Sequence, residues 1–105
     1  MQKVAFISGP YRADTVNGIH DNIEAARTVA NKYRHMGYAV ICPHMNSAYC
    51  DNGDDQMFLD ECFALIDLLR SGVDCIVMAP GWMESVGAVA EHSRAMVNGL
   101  MIKYE

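Results

Sequence analysis

One short segment near the amino terminus sets the architecture expected of this chain: residues 4–10 read VAFISGP. A continuous apolar run of this length, without polar alternation, is typical of a β-strand that is covered on both faces. The Ser-Gly-Pro that follows is common turn chemistry and ends the run. We therefore expect a buried parallel strand with a loop leaving its carboxyl end.

Three further apolar runs lie downstream of this segment, at residues 38–42 (YAVIC), 73–78 (VDCIVM) and 100–102 (LMI). The first two are closed by proline, which cannot donate to a central ladder and so ends a strand. Helical patterns separate all of the runs. Strands that alternate with helices predict an α/β fold with a parallel sheet.

The first helix is predicted from apolar positions that begin at Ile19 and end at Tyr33, with Asp21 or Asn22 as its cap. These positions recur at steps of three and four, which is one face of a helix. Glycine 37 is expected to end it in the left-handed conformation.

The second helix is predicted to begin at Asp54 or Asp55 and to end at Ser71. Its apolar positions include Phe58, Cys62 and Ile66, at helical spacing. The third is expected from near Ser85 to about residue 98, where a glycine follows.

These elements predict a small doubly wound sheet of the flavodoxin-like or Rossmann-like kind, with four strands and three helices. Right-handed crossovers favour the strand order 2-1-3-4. The order reverses between strands 1 and 3, and ligands bind at such a switch point. The loops after those two strands are therefore the first place to look for a site.

The composition is that of one small globular domain, spanning residues 1–105, with 51% hydrophobic and 20% charged residues. The net charge of −5 argues against a nucleic-acid surface, which is normally basic. No secretory leader is visible, and no apolar run approaches the ~20 residues of a membrane span. We expect a cytoplasmic protein without a membrane partner.

Neither the cysteines nor the acidic residues form a recognisable metal site. Cys42, Cys50, Cys62 and Cys75 lack the spacing of a zinc site and are interpreted as reduced, mostly buried thiols. Residues 51–55 are acidic, but they lack the spacing of a calcium-binding EF-hand loop. We expect neither a metal nor a cofactor.

The loop after strand 1 offers several groups suited to ligand binding: Ser8, Gly9, Pro10, Tyr11 and Arg12. The glycine lets the backbone approach a ligand closely, and the planar guanidinium fits a phosphate or carboxylate. The alternative is a plain strand-ending turn with a surface arginine.

The loop after strand 3 leads into the third helix and supplies Gly81, Trp82, Ser85 and Gly87. Ser85 can cap that helix, whose free N–H groups form an anion site. Glu91 lies almost two turns further along and so faces nearly the same side. Its apolar neighbours suggest partial burial, and the alternative is a solvated surface glutamate.

The loop after strand 2 contributes His44 and Asn46, whose side chains could reach a base or a sugar. Ordinary capping of the loop is the alternative interpretation.

Taken together, these loops resemble the nucleoside 2-deoxyribosyltransferase-like superfamily, which includes the 2′-deoxynucleoside 5′-monophosphate N-glycosidases. The chain looks closest to its small phage and bacterial branch. The similarity covers nearly the whole chain, and its most specific part is the pattern Ser-x-Gly-x-x-x-Glu at residues 85–91. The matching segments are residues 7–12, 42–46, 74–78 and 80–91.

The resemblance implies that Glu91 is the nucleophile that attacks the anomeric carbon of the sugar. It also implies that Ser85 and the loop after strand 1 hold the sugar or its phosphate. The family's assisting aspartate aligns with Ile66 in this chain, so Asp67 or Asp60, seven residues apart on one helix face, would serve. The family's tyrosine aligns with Phe6, which leaves Tyr11 as the nearest hydroxyl.

The resemblance therefore implies an N-glycosidase or deoxyribosyltransferase that acts on a nucleoside or nucleotide by a retaining mechanism. The alternative is a non-catalytic module that binds a nucleotide or nucleotide sugar on the same fold. A four-stranded domain offers a shallow pocket, and ligand pockets bury most of a small ligand. We therefore expect a homo-oligomer whose neighbouring subunit closes the site, with Trp82 near the interface.

Overall fold

The computed structural model describes residues 2–43 and 55–105. In chain order its elements are β1 (Val4–Ser8), α1 (Val16–His35), β2 (Ala39–Ile41), α2 (Asp55–Asp67), β3 (Cys75–Met78), a 3₁₀ turn (Trp82–Glu84), α3 (Val86–Val97) and β4 (Met101–Tyr104). No helix among these residues is long and apolar enough to cross a membrane.

The four strands form one sheet in the order β2-β1-β3-β4, and every neighbouring pair is parallel. This confirms the predicted α/β class and strand order. The two central strands are the continuous apolar runs, because both of their faces are covered. Their carboxyl ends lie side by side, since Ser8 pairs with Met78.

Helices cover both faces of the sheet, as the continuous strands require. One core cluster lies between the sheet and α1 and includes Ala5, Ile7 and Ala30. The other lies between the sheet and the helices α2 and α3, and includes Phe6 and Ile66. Alternate residues of β1 therefore serve opposite cores, as the two-residue period of a strand dictates.

The predicted start of α1 at Asp21 or Asn22 is wrong. The helix begins five residues earlier, at Val16, where the Thr15 hydroxyl oxygen accepts a hydrogen bond of 3.0 Å from the Gly18 N–H. Val16 and Asn17 at the start of the helix are exposed, so the apolar periodicity begins only at Ile19 and does not register them. The predicted end is close, because the helix stops at His35 and residue 37 has a φ of +97°.

Two other boundaries also differ from expectation. Helix α2 ends at Asp67, before the predicted Ser71, because the N–H groups of Leu68 and Leu69 already bond three residues back rather than four. Strand β4 continues to Tyr104, two residues beyond the predicted apolar run. It is an edge strand and therefore tolerates polar residues.

A buried aspartate ties the amino-terminal end of the sheet together. The Asp74 carboxylate accepts hydrogen bonds from the Val4 N–H at 2.8 Å and from the Arg70 N–H at 2.7 Å. The Arg70 guanidinium adds bonds of 3.0 and 2.9 Å. These bonds, led by the Arg70 side chain, lower the pKa of Asp74 to about 2 although burial opposes the shift.

Candidate functional site

The site lies where the ends of β1 and β3 bring two loops into contact. The ladder continues one step past both strands, because the Ala79 N–H donates a 2.7 Å bond to the Ser8 carbonyl. Gly9 is required at this approach, since a Cβ on it would lie 2.8 Å from the Cβ of Ala79. The predicted switch-point loops are therefore neighbours.

A cavity of about 800 Å³ opens between these two loops. Most of the predicted site residues line it: Gly9, Pro10, Tyr11, Arg12, Gly81, Ser85, Gly87 and Glu91. Apolar side chains from α2 form a further wall, among them Phe58 and Leu59. The volume is in the range of small-molecule sites, which are concave and largely apolar with a few placed polar groups.

Glu91 is the central polar group of this cavity. It lies on α3, is only 8% exposed, and still lines the cavity. The fully buried Ser8 hydroxyl donates a 2.5 Å hydrogen bond to its Oε1 atom. The interpretation of Glu91 as a solvated surface residue is therefore wrong, because the side chain points inward from α3 to the end of β1.

Burial raises the pKa of Glu91, because a carboxylate loses solvation in a low-dielectric site. Hydrogen bonds from Ser8 and from Cys62 act in the opposite direction. These two donors are the groups that favour the ionised, nucleophilic form. Residues of two other elements, β1 and α2, therefore stabilise the charge of this carboxylate.

The amino terminus of α3 forms one end of the cavity. Ser85 caps the helix, and its hydroxyl oxygen accepts a 3.2 Å bond from the Ala88 N–H. Gly87 lines the same region, and a Cβ on it would meet nothing within 4 Å. This leaves room for a ligand against the helix end, where the partial positive charge favours an anion.

The loop after β1 places an aromatic ring and a cation at the rim. The Arg12 guanidinium lies over the Tyr11 ring, 5.4 Å from its centroid. Asn22 of α1 holds the loop through a 3.1 Å bond from its amide to the Tyr11 carbonyl. Arg12 is exposed and lines the cavity, which suits a group that meets a charged ligand.

The structure does not bring either predicted aspartate to Glu91. Asp67 is held by Arg94 and by Asn98, with bonds of 2.5 and 2.9 Å from the guanidinium. Asp60 is exposed and accepts a 2.8 Å bond from the Gln56 amide. Neither aspartate is among the described residues that line the cavity, although Gln56, the partner of Asp60, is.

Three other predicted substrate contacts are not found among the described residues that line the cavity. Trp82 is absent from the residues described as lining the cavity; it stacks on His92, with ring centroids 4.5 Å apart, and also contacts Tyr104. It therefore supports the 3₁₀ turn against α3 and β4. His44 and Asn46 lie outside the described residues.

Sequence reasoning missed several side chains at the cavity, and two of them carry titratable groups. Cys62 was interpreted as core, yet it lines the cavity and bonds Glu91. Glu84 of the 3₁₀ turn lines it as well and, among the described lining residues, is the carboxylate that accompanies Glu91. The helical spacing of Cys62 from Phe58 was a usable signal, whereas nothing marked Glu84.

Among the described residues, no group of three His, Cys, Asp or Glu side chains could hold a metal ion.

The family profile that matches is described as a domain of unknown function, DUF4406, and it covers residues 3–104. A search of curated proteins finds none that matches the chain. Because the profile spans nearly all of the sequence, the chain belongs to the DUF4406 family.

Proposed function

We propose that this protein is an N-glycosidase or deoxyribosyltransferase that cleaves the glycosidic bond of a nucleoside or nucleotide, with Glu91 as its nucleophile. The observation that carries the proposal is the placement of Glu91, buried yet lining the cavity and fixed by the Ser8 hydroxyl. A surface carboxylate would need no such support. The resemblance to the nucleoside 2-deoxyribosyltransferase-like superfamily points to the same residue.

The proposed reaction is a double displacement. A Glu91 oxygen attacks C1′ of the sugar while the bond from C1′ to the base nitrogen breaks, through an oxocarbenium-like transition state. The base leaves with the bonding electron pair and takes up a proton. Water, or a second base, then attacks C1′ of the glycosyl ester and releases Glu91.

The proton for the departing base has a candidate source in Glu84. Retaining glycosidases use a second carboxyl group for this step, and Asp60 and Asp67 lie outside the cavity lining. Glu84 is exposed and lines the cavity, so it can exchange protons with solvent. We assign it the role that the resemblance gave to an aspartate.

The phosphate of a nucleotide substrate would lie between Arg12 and the amino terminus of α3. A guanidinium binds phosphate through a planar fork, and a helix terminus adds N–H donors. The apolar wall of Phe58 and Leu59 would then face the base or sugar.

A second subunit is proposed to close the open side of the cavity, because the rim residue Val86 is 88% exposed.

One observation favours a second candidate, a non-catalytic nucleotide-binding module. Burial raises the pKa of Glu91, and a protonated carboxyl group is a poor nucleophile. In such a module Glu91 would act as a hydrogen-bonding group to the ligand. The two candidates predict the same binding but differ in turnover.

Incubation with a panel of deoxynucleosides and their 5′-monophosphates, followed by chromatography of free base, tests the proposal. Glu91→Gln keeps the shape of the side chain, so base release should vanish while ligand affinity stays within about tenfold, or ~1.4 kcal/mol. Asp67→Asn, at a carboxylate that is not among the residues lining the cavity, is the matched control and should retain full release.

A rapid quench with a slow substrate should also show the protein mass increased by one deoxyribosyl unit, and the increase should map to Glu91. Base release by Glu91→Gln at the parent rate would refute the assignment of Glu91 as the nucleophile. Ligand binding by the parent without base release from any compound would favour the binding module.

A further inference from the structure

The thiol of Cys62 lies inside the cavity rather than in the core. Cys62 is on α2, lines the cavity together with Glu91, and forms a hydrogen bond with the Glu91 side chain. Phe58 and Leu59, four and three residues earlier, line the same wall, as helical spacing requires. The inward face of α2 therefore places the Cys62 sulfur in the cavity beside the Glu91 carboxylate, while the Gln56 amide of the same helix also lines the cavity.

In this contact the thiol acts as a donor. Burial is the largest cause of the raised pKa of Cys62, and the neighbouring Glu91 charge raises it further. A thiolate is the reactive form of cysteine, so this cysteine is a poor nucleophile. An S–H group beside a carboxylate can donate to it, whereas an aspartate in the same place would repel it.

Glu91 is thus held by two donors from different elements, Ser8 at the end of β1 and Cys62 on α2. An ionised carboxylate offers about four lone-pair directions. Two donors leave lone pairs available for attack on a carbon. They also restrict the rotation of the side chain, and positioning of a reacting group lowers the barrier.

We propose that Cys62 is a positioning residue for Glu91, whose thiol holds the carboxylate ionised and oriented toward the cavity. This inference rests on the proposed function and extends it, because it assigns a task to a side chain that the resemblance does not mention. Among the described residues, the other titratable groups that line the cavity are Tyr11, Arg12 and Glu84, and the charge of Glu61 on α2 also acts on Cys62. These groups are present in every variant below, so their effect on the Glu91 pKa is the same throughout the comparison.

The test compares Cys62→Ala, which removes the donor, with Cys62→Ser, which keeps one. The Glu91 pKa is measured by ¹³C NMR of carboxyl-labelled glutamate, with Glu91→Gln providing the assignment. We expect a higher Glu91 pKa in Cys62→Ala and a return toward the parent value in Cys62→Ser. Cys75→Ala removes a buried thiol from the opposite core and should leave the titration unchanged.

Activity gives the second readout. At neutral pH, Cys62→Ala should lose at least about tenfold in kcat, which is ~1.4 kcal/mol in the barrier, with KM nearly unchanged. The acid limb of kcat/KM should move to higher pH with the Glu91 pKa, and Cys62→Ser should recover both. A merely structural role would affect melting temperature and leave the Glu91 titration in place.

The outcomes separate this inference from the proposed function. An unchanged Glu91 pKa in Cys62→Ala, or a serine variant that behaves like the alanine variant, overturns the positioning role even if the parent releases base. A shifted Glu91 pKa together with no base release from the parent overturns the proposed function, while the contact between the thiol and the carboxylate stands.

Discussion

Replacement of Asp74 by asparagine should remove a large share of the stability of this domain. The carboxylate is 1% exposed and receives hydrogen bonds from Val4 and Arg70. Folding lowers its pKa from an ordinary 3.8 to about 2, which corresponds to roughly 2.5 kcal/mol at neutral pH. The asparagine amide keeps one acceptor oxygen, but its N–H groups would face the donors of Arg70. The substitution should therefore retain little of the stabilisation that the carboxylate provides.

The contribution has a defined pH window. Because the folded pKa lies below the unfolded one, the stabilisation is fully present above about pH 4 and is lost as the pH falls toward about 2. The difference between the parent and Asp74→Asn should therefore shrink over that range. Urea unfolding followed by circular dichroism at a series of pH values measures it. With a slope of about 1–2 kcal/mol per molar urea, the midpoint at pH 7 should fall by roughly 1.3–2.5 M.

Asp67 provides the matched control. Bonds from Arg94 and Asn98 lower its pKa to about 2 as well, yet its side chain is 40% exposed. Water solvates this carboxylate in both states, and exposed ion pairs contribute little. Asp67→Asn should therefore leave the midpoint unchanged. Equal effects of the two substitutions, or a difference for Asp74→Asn that persists unchanged to pH 2, would refute the reasoning.

Three further predictions concern the site. Glu91→Gln should raise the melting temperature at pH 7, because a buried acid with a raised pKa favours folding at low pH and costs stability once it ionises; an equal or lower melting temperature contradicts this. Gly9→Ala should destabilise by about 1–3 kcal/mol through its clash with Ala79, whereas Gly87→Ala should leave the urea midpoint unchanged and weaken ligand binding in calorimetry. Arg12→Ala should weaken a nucleotide at least about tenfold more than its nucleoside, ~1.4 kcal/mol, and equal losses would exclude phosphate recognition.

The fold could be predicted because its central strands carry an unambiguous signal. Residues 4–8 and 75–78 are buried on both faces, and a continuous apolar run has few other solutions in a chain of this size. Boundaries were harder to predict. The start of α1 depends on one hydroxyl, that of Thr15, and the turn it caps makes no core contact that a periodicity could register.

The site was predictable where it depends on backbone topology and not where it depends on one side chain of a helix. The loops after β1 and β3 had to meet, because their strands pair in parallel register. The resemblance predicts Asp67 or Asp60 as the assisting carboxylate, and neither is among the described residues that line the cavity. Cys62 occupies the inward position instead. Because cysteine is often a buried apolar residue, the sequence pattern indicated core packing for it rather than a place in the site.

The position of Ser8 shows how the same register fixes both core and site. Residues two apart on a strand share a face, so Ser8 points to the side of Phe6, which packs against the α2 and α3 cluster. That is the side from which Glu91 projects, and the two meet at 2.5 Å. A slip of β1 by one residue would send Phe6 to the wrong core and at the same time take the hydroxyl away from the carboxylate. The burial of the central strand therefore holds the hydroxyl donor to Glu91 in place, and the sequence pattern that builds the sheet also builds the candidate site.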